Sequence, residues 1–531
     1  MLYVVASCRD VRSLRLVWER FSHEGHIVLF ILQLASVVSV FVATFFIFQS
    51  VGLRRDTLFY TRDEKKSFDA TISGFFGSFA TVTNIVATLT SLATVYVFFL
   101  GTSKVFGYWV FICAFSIGLS YLVTNPVTTS LLSRRPRIKK LYSKADQISA
   151  VIASLVWSDS STGNLSSRLV QYISLASIAS IIWLEFSIFS DVSGIVLKID
   201  ELSIRAGMLF VLSLSVFFFT FKYGLRGFVL AELFQAPLLL IGSVVLLVGI
   251  SFAVASNTSP SISITALSLT APLISVGEGI MFTAHVLILN AFLIVVSEAH
   301  WLRAWIFGDR ETTMQPTGAI STGISWLLLI AMGLLATTLT KHTGNEGVAE
   351  LLESVHAATS NPLFLCAFWV AATAALFSTA DAQLYSLLVV RSFRPSTGAL
   401  DDNVARPKNT LALSAAFALI LSAIYIVVRI FNLPFEKLIF LIIPLNLNIL
   451  PAFAAMYSKY EPPPLIILCS LFFYGFFGVV GLSQPHQNFF WTLASALVPA
   501  VISLVILCPR VGPFVMRLMA AKPIVATIRE R

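Results

Sequence analysis

Charge is scarce in this chain. Only 12% of its 531 residues are Asp, Glu, Lys or Arg, against roughly 25% in an ordinary soluble domain. A chain so poor in charge does not clothe a water-facing surface, which excludes a soluble globular protein. Cysteine is equally sparse: Cys8, Cys113, Cys366, Cys469 and Cys508 show neither metal-ligand nor redox spacing and read as packing residues. His23, His26, His342, His356 and His486 fall in tails or connectors without zinc spacing. No nucleophile, metal or phosphate motif is present, and the short connectors leave no room for a soluble catalytic domain, which argues against an enzyme.

Apolar residues are abundant, at 57% of the chain with a mean hydropathy of +0.86. Thirteen stretches have the length of a membrane crossing: 27–50, 69–99, 106–132, 168–197, 205–221, 225–252, 277–300, 315–340, 360–390, 409–430, 436–457, 463–483 and 490–509. The expectation is an all-α polytopic membrane protein with the lipid bilayer as its solvent.

Basic residues fall on alternate connectors. Arg54, Arg55, Arg62, Lys65 and Lys66 follow span 1; Arg134, Arg135, Arg137, Lys139, Lys140 and Lys144 follow span 3; Arg391, Arg394, Arg406 and Lys408 follow span 9; Arg510, Arg517, Lys522, Arg529 and Arg531 lie in the tail. The other connectors hold few, such as Lys104, Lys198, Arg205, Lys341, Arg429 and Lys437. This bias predicts a plasma membrane (bacterial inner membrane) protein with a cytoplasmic carboxyl terminus and, with thirteen spans, an outside amino terminus. Arg9, Arg12, Arg15 and Arg20 oppose that orientation; either the downstream pattern dominates, or the true start lies further along. Loops facing anionic lipid account for the net charge of +9, with no need of nucleic acid.

The spans divide into a leading segment 1–68 (tail, first peripheral helix and inner loop), a five-helix block 69–252, an outer connector 253–276, a second five-helix block 277–457 and a closing segment 458–531 with two peripheral helices and the tail. An odd number of spans per block permits an inverted repeat, whose ligands lie at mid-membrane where the first helix of each block is broken or lined with small residues. Span 2, Thr71-Ile72-Ser73-Gly74-Phe75-Phe76-Gly77-Ser78-Phe79-Ala80-Thr81-Val82-Thr83-Asn84, fits through its Gly, Ser and Thr content, although small-residue packing explains such faces too. In span 7, Gly277 and Gly279 flank Glu278 and would permit a bend, or simply mark a helix end.

The most polar run deep in an apolar stretch is Ala374-Ala375-Leu376-Phe377-Ser378-Thr379-Ala380-Asp381-Ala382-Gln383 in span 9. The hydroxyls of Ser378 and Thr379, the carbonyl of Ala375 one turn earlier, and carbonyls of span 2 are hard oxygen ligands suited to Na+. The competing reading has each hydroxyl bonded to its own i−4 carbonyl. Asp381, a carboxylate in the same run, needs a partner or water at that depth. Glu185 in span 4, flanked by Ile181-Ile182-Trp183-Leu184 and Phe186, is a mid-membrane carboxylate for substrate or proton, or a member of a buried ion pair. His285 and Asn290 in span 7 are further solute-contact candidates, though five residues apart they point different ways.

Several dispersed segments resemble the sodium/solute symporter family, whose members carry sugars, proline, pantothenate, iodide and short carboxylates. They are Phe59-Tyr60-Thr61-Arg62-Asp63-Glu64-Lys65-Lys66-Ser67-Phe68 before span 2, Lys222-Tyr223-Gly224-Leu225-Arg226-Gly227 with Ala231-Glu232-Leu233-Phe234-Gln235, Ser297-Glu298-Ala299-His300-Trp301-Leu302-Arg303-Ala304, and the 375–383 run. The resemblance implies a LeuT-like five-plus-five inverted-repeat core and transport coupled to Na+. It places the ion on Ser378, Thr379 and the Ala375 carbonyl, with carbonyls at Phe79 or Ala80 and Val82 or Thr83. Ala80 and Thr83 are the positions taken forward. It also implies Glu232 on the inner release path in place of a family aspartate, and His300 with Arg303 as an inner gating pair. Thr81 joins Glu185, His285 and Asn290 as a substrate-binding candidate; Asp381, Glu232, His300 and Arg303 are coupling or gating candidates. The chain departs from the family where Glu298-Ala299 replaces Gln-Pro, and a surface salt bridge from Glu298 to Arg303 is the plain expectation there.

The function implied is a sodium-coupled symporter, acting as a monomer, that imports a small polar solute by alternating access. A proton-coupled carrier using Glu185 or Asp381 is one rival. A transporter-like sensor is another, although no soluble signalling module follows Pro509.

Overall fold

The computed structural model describes residues 24–50, 102–113, 115–116, 127, 130, 151–156, 161–257, 271–299, 301, 311–342, 344–394, 399–400, 409–433, 435–484 and 490–520. All of span 2 lies outside them, including the proposed ligands Ala80 and Thr83 and the candidate Thr81, as does the pair His300 and Arg303. Among the described residues, ten helices are long and apolar enough to cross a membrane. Spans 2, 3 and 8 do not appear at full length in that set, so the expected thirteen is neither reached nor excluded.

The elements are α1 (Glu24–Ser50), α2 (Thr102–Phe106) running into a 3-10 turn (Gly107–Val110), α3 (Val151–Val156), α4 (Ser161–Val196), α5 (Leu202–Asn257), α6 (Val276–Val296), α7 (Glu311–Ala336), α8 (Asn345–Thr359) and α9 (Leu363–Ser392). A two-residue antiparallel pair, β1 (Phe393–Arg394) with β2 (Ala399–Leu400), follows. Then come α10 (Thr410–Ile430), α11 (Phe435–Ile442), a 3-10 segment (Ile443–Ile449), α12 (Leu450–Tyr457), α13 (Pro464–Ser483), α14 (Phe490–Leu507) and α15 (Gly512–Ala520). Helical backbone runs unbroken through spans 5 and 6 in α5, whose 56 residues exceed by far the ~20 needed to cross a ~30 Å hydrocarbon core. The two crossings are Leu202–Lys222 and Ala231–Ser256.

Local chemistry explains the helix ends. Ser275 and Glu278 form a capping box before α6: the Ser275 N–H and hydroxyl both donate to Glu278 Oε2 at 3.0 Å, and the Glu278 N–H donates back to Ser275 Oγ at 3.3 Å. Asn409 caps α10 by accepting from the Ala412 N–H at 3.0 Å. Lys198, Ser360 and Asn432 adopt φ between 51° and 55° just beyond α4, α8 and α10, the left-handed turn that ends a helix.

The core is built around α9, buried along most of its length. It packs against α4, α5 and α1. Gly242 of α5 makes one approach close: a Cβ there would lie 2.8 Å from the Ala367 carbonyl oxygen and 2.9 Å from Ala371 Cβ. Small residues thus draw the two helices together, as membrane helix packing favours. On the α1 side, Phe377 meets Phe41 edge to face at 4.8 Å. Gln171 of α4 donates to the Val390 and Phe393 carbonyls at 2.7 and 2.6 Å, tying α4 to the end of α9.

Two crossings are interrupted. Of the two readings of Gly277 and Gly279, a bend or a helix end, the second holds, since both sit in the first turn of a continuous α6. Gly279 serves packing there, because a Cβ would collide with the Trp109 indole. The helix breaks at Ser297, just beyond Val296. The second interruption is the 3-10 segment Ile443–Ile449 between α11 and α12. The two breaks meet, since the Asn446 Nδ2 donates to the Val296 carbonyl.

Candidate functional site

α9 carries five serine and threonine side chains, and their hydroxyls divide into two groups. Thr373, Ser386 and Ser392 donate to the i−4 carbonyls of Trp369, Ala382 and Leu388 at 2.6, 2.9 and 2.7 Å. That is the ordinary habit of a hydroxyl in a membrane helix. Ser378 and Thr379 are buried as well, yet neither hydroxyl oxygen makes a hydrogen bond. The carbonyl of Ala375, which a back-bonding Thr379 would occupy, receives nothing from it. The back-bonding alternative therefore describes the neighbours of this pair and not the pair itself. An unmade hydrogen bond on a buried hydroxyl costs about 1–3 kcal/mol, and a cation supplies the missing partner without demanding a donor.

The other candidates around this pair differ in kind. Asp381 (1% exposed) lies one turn further along α9 and has an electrostatic partner. Glu232 and Gln235, one turn apart on α5, are both fully buried; Glu232 is engaged, whereas neither end of the Gln235 amide is hydrogen-bonded. Glu185 is fully buried in α4 and also has a partner. Beside it, the Trp183 indole N–H is buried without an acceptor, and its ring stacks on Phe435 of α11 at 6.1 Å.

His285 sits inside α6 at 1% exposure, edge-on to Phe440 at 5.4 Å. A backbone group of Leu493 faces its ring, but neither nitrogen meets hydrogen-bond geometry. Asn290 is a different case: its Nδ2 donates to the Val286 carbonyl at 2.9 Å within α6, an intrahelical duty that leaves only its carbonyl oxygen for a solute. Glu298 is not at a surface, and Arg303, the partner expected for it, lies outside the described residues. Glu298 is 2% exposed, and both its oxygens lack hydrogen-bond partners.

Gln235 and Asn446 were not singled out by sequence. Gln235 appeared only as the end of a motif, although a Gln one turn from a Glu in an apolar span is itself a signal. Asn446 stands 150 residues from the backbone it contacts, a pairing no local pattern announces. Among the described residues no cluster of three His, Cys, Asp or Glu is placed to hold a metal, so a site on Ser378 and Thr379 would be of the hydroxyl-and-carbonyl type suited to a hard monovalent ion.

No protein-family model matches the chain, and no curated protein sequence does. Solved structures do match. A Na+-coupled sialic acid symporter in a substrate-bound outward-open state is 14% identical, covering 89% of this chain and 96% of that one with a TM-score of 0.56. A nucleobase-cation-symport-1 family transporter, closed with bromovinylhydantoin bound, is 11% identical over 85% of this chain and 95% of that one, a coarser likeness at a TM-score of 0.39. The chain thus has the polytopic all-α membrane fold of a known transporter over nearly its whole length.

Proposed function

We propose that this chain is a sodium-coupled secondary active symporter that imports a small polar organic solute. The observation that carries the reading is the Ser378–Thr379 pair, two buried hydroxyls without hydrogen bonds on a helix whose other serine and threonine hydroxyls all bond back to their own turn. The likeness to a sodium-coupled symporter supports it, together with the dispersed segments that resemble the sodium/solute symporter family. Fold alone hosts many functions, so the weight rests on the hydroxyl pair.

In this reading the chain is a transporter and not an enzyme. Its core is the five-plus-five repeat of 69–252 and 277–457, flanked by peripheral helices in an inner membrane with the carboxyl terminus in the cytoplasm. Na+ entering from outside lies between Ser378, Thr379 and the Ala375 carbonyl on α9 and carbonyls at Ala80 and Thr83 on span 2. Its binding favours the state open to solute, and solute in turn favours sodium by the same factor. Glu185, His285, Asn290 and Thr81 line the solute path. Of these, His285 and the neighbouring Trp183 bring the unpaired groups a polar solute would meet. Asp381, Glu232, His300 and Arg303 serve coupling and release.

The test is sodium-dependent uptake by proteoliposomes. Ser378→Ala with Thr379→Ala raises the sodium needed for half-maximal uptake at least tenfold, while membrane insertion and sodium-free thermal stability are kept. An unchanged sodium requirement in the double variant sinks the assignment. The solute is found by a thermal-shift screen of purified protein against small polar compounds, where a true substrate stabilises more strongly in sodium than in choline. Full burial of Glu185 favours one second reading, proton coupling. Uptake driven by a pH gradient without sodium, and abolished by Glu185→Gln, would establish it.

A further inference from the structure

Where the breaks in α6 and in the α11–α12 crossing meet, buried acceptors outnumber the donors that could satisfy them. Glu298 lies two residues beyond the end of α6, is 2% exposed, and neither carboxyl oxygen is hydrogen-bonded. A backbone group of Ile152 in α3 faces the carboxyl without meeting hydrogen-bond geometry. The Asn446 amide is fixed beside the same break, because its Nδ2 donates to the Val296 carbonyl. Its Oδ1 is left buried with no partner. Two side chains 148 positions apart thus bring three oxygen atoms without hydrogen bonds to the place where the two interruptions meet.

Among the described residues no positive side chain hydrogen-bonds this group; Arg168 of α4, the helix packed against α3 and the 3-10 segment, is exposed, and His300 and Arg303 lie outside the described residues. α3 (Val151–Val156) and α14 (Phe490–Leu507) contain no titratable residue, and the 3-10 segment Ile443–Ile449 has none. Tyr457 closes α12, and Lys437 of α11 is committed to the Gly481 and Gln484 carbonyls at 2.9 and 2.6 Å. The Tyr108 phenol lies on the 3-10 turn that meets α6 at the Gly279 end. A carboxylate this deeply buried is costly unless something neutralises it.

We infer that Glu298 and the Asn446 Oδ1 form a second monovalent-cation site at the broken end of α6, separate from Ser378 and Thr379. The occupant is a proton or Na+; either neutralises the carboxylate and either is met by the unpaired amide oxygen. Because the site joins the two interruptions, movement of α6 against the α11–α12 crossing changes its access and so links its occupancy to the transport cycle. The inference goes beyond the proposed symport and holds whichever solute is carried.

The experiment uses the purified full-length chain in four forms: wild type, S378A/T379A, E298Q and the triple variant. Each is measured for 22Na+ retention, and for thermal unfolding between pH 5.5 and 8.5 in choline chloride. With sodium as occupant, S378A/T379A still retains 22Na+ and the triple variant loses it at least tenfold. With a proton as occupant, S378A/T379A loses stability as pH rises and the triple variant has a flatter profile. If adding E298Q to S378A/T379A changes neither sodium retention nor the pH profile, Glu298 is a buried acid without a ligand and the inference is overturned. Should E298Q fail to fold, Glu298→Asp replaces it. That variant keeps the charge but withdraws it by one methylene, so affinity for the occupant falls at least threefold, and an unaltered affinity overturns the inference equally. Failure of the proposed symport reads out elsewhere, as an unchanged sodium response in S378A/T379A alone.

Discussion

Two buried polar groups in this molecule are treated in opposite ways. Asp191 in α4 is fully buried and paired with charge: its Oδ1 accepts from the Tyr425 hydroxyl at 2.6 Å and from Arg429 Nε at 3.0 Å. Its Oδ2 faces the same guanidinium, and Arg205 stands 3.7 Å from Oδ1. Arg205 is itself held, donating to the Ile199 carbonyl at 2.7 Å, and Arg429 lies over the Phe435 ring at 4.7 Å. Ser378 and Thr379 in α9 are buried too, and their hydroxyls bond to nothing. The first cluster pins α4, the start of α5 and α10 at one end of the bundle, with its carboxylate neutralised by two guanidinium groups. The second holds nothing together. Satisfied polar groups serve the scaffold; unsatisfied ones mark where a ligand completes the structure.

The largest effect is expected where the charge-paired cluster is broken. Asp191→Ala leaves two guanidinium groups without their carboxylate and destabilises the protein by about 3–5 kcal/mol, the usual cost of removing one partner from a buried pair. The sodium requirement of the protein that survives stays at the wild-type value, as thermal unfolding and uptake measured together will show. An equal shift in sodium requirement from Asp191→Ala and from S378A/T379A would erase the distinction between the two regions.

Gly242→Ala follows. It forces a methyl against the Ala367 carbonyl and Ala371 and costs about 1–3 kcal/mol by overpacking, read as a lower unfolding midpoint in sodium and in choline alike.

Within α9, Thr373→Ala is the sharpest control. It removes a back-bonded hydroxyl, costs about 1 kcal/mol or less, and leaves sodium half-saturation unchanged. S378A/T379A does the reverse, since deleting hydroxyls that make no hydrogen bond takes no such bond from the sodium-free protein. A Thr373→Ala variant as sodium-defective as the double one would remove the contrast inside the helix.

The smallest effect concerns the turn before α8. Burial pushes the Glu350 carboxyl up, but it is outweighed by the hydrogen bond with the His342 ring and by the N–H groups of Lys341 (2.7 Å) and His342 (3.2 Å). The net effect holds the carboxyl below its ordinary range. A depressed carboxylate contributes stability that is present above the unfolded value and lost as pH falls through the folded one. Hydrogen exchange around 341–350 should therefore rise toward acid pH in the wild type and be pH-insensitive over that window in Glu350→Gln. Lys104, which donates to the Thr340 carbonyl at 2.9 Å, keeps the turn in place in both.

Much of the molecule is legible in sequence because bilayer chemistry is strict. Length and apolarity alone mark the crossings at 363–392, 410–430 and 464–483, and Ser275-Val276-Gly277-Glu278 is a readable capping box. The Ser378–Thr379 pair stands out by composition too. What could not be read is which hydroxyls bond back: Thr373 and Thr379 have the same residue type and the same i−4 geometry open to them, and only one takes it. Bend and helix end stayed open at Gly277 and Gly279 for a related reason. Gly277 and Gly279 signal flexibility by type, but the Trp109 ring needs the space at Gly279, and the interruption falls at a serine.

The sequence by itself determined that this chain lives in a membrane, where its helices lie, and which residue types stand in them at depth. Those follow from transfer free energies and backbone hydrogen bonding, which act residue by residue. Tertiary structure alone decided which polar groups found partners. Asp191 met Tyr425 and Arg429 across more than 230 positions, Asn446 met Val296 across 150, and the side-chain oxygens of Ser378, Thr379 and Glu298 make no hydrogen bond among the described residues. Satisfaction of a buried polar atom depends on what packing brings within about 3 Å of it, and helices distant in sequence set that distance.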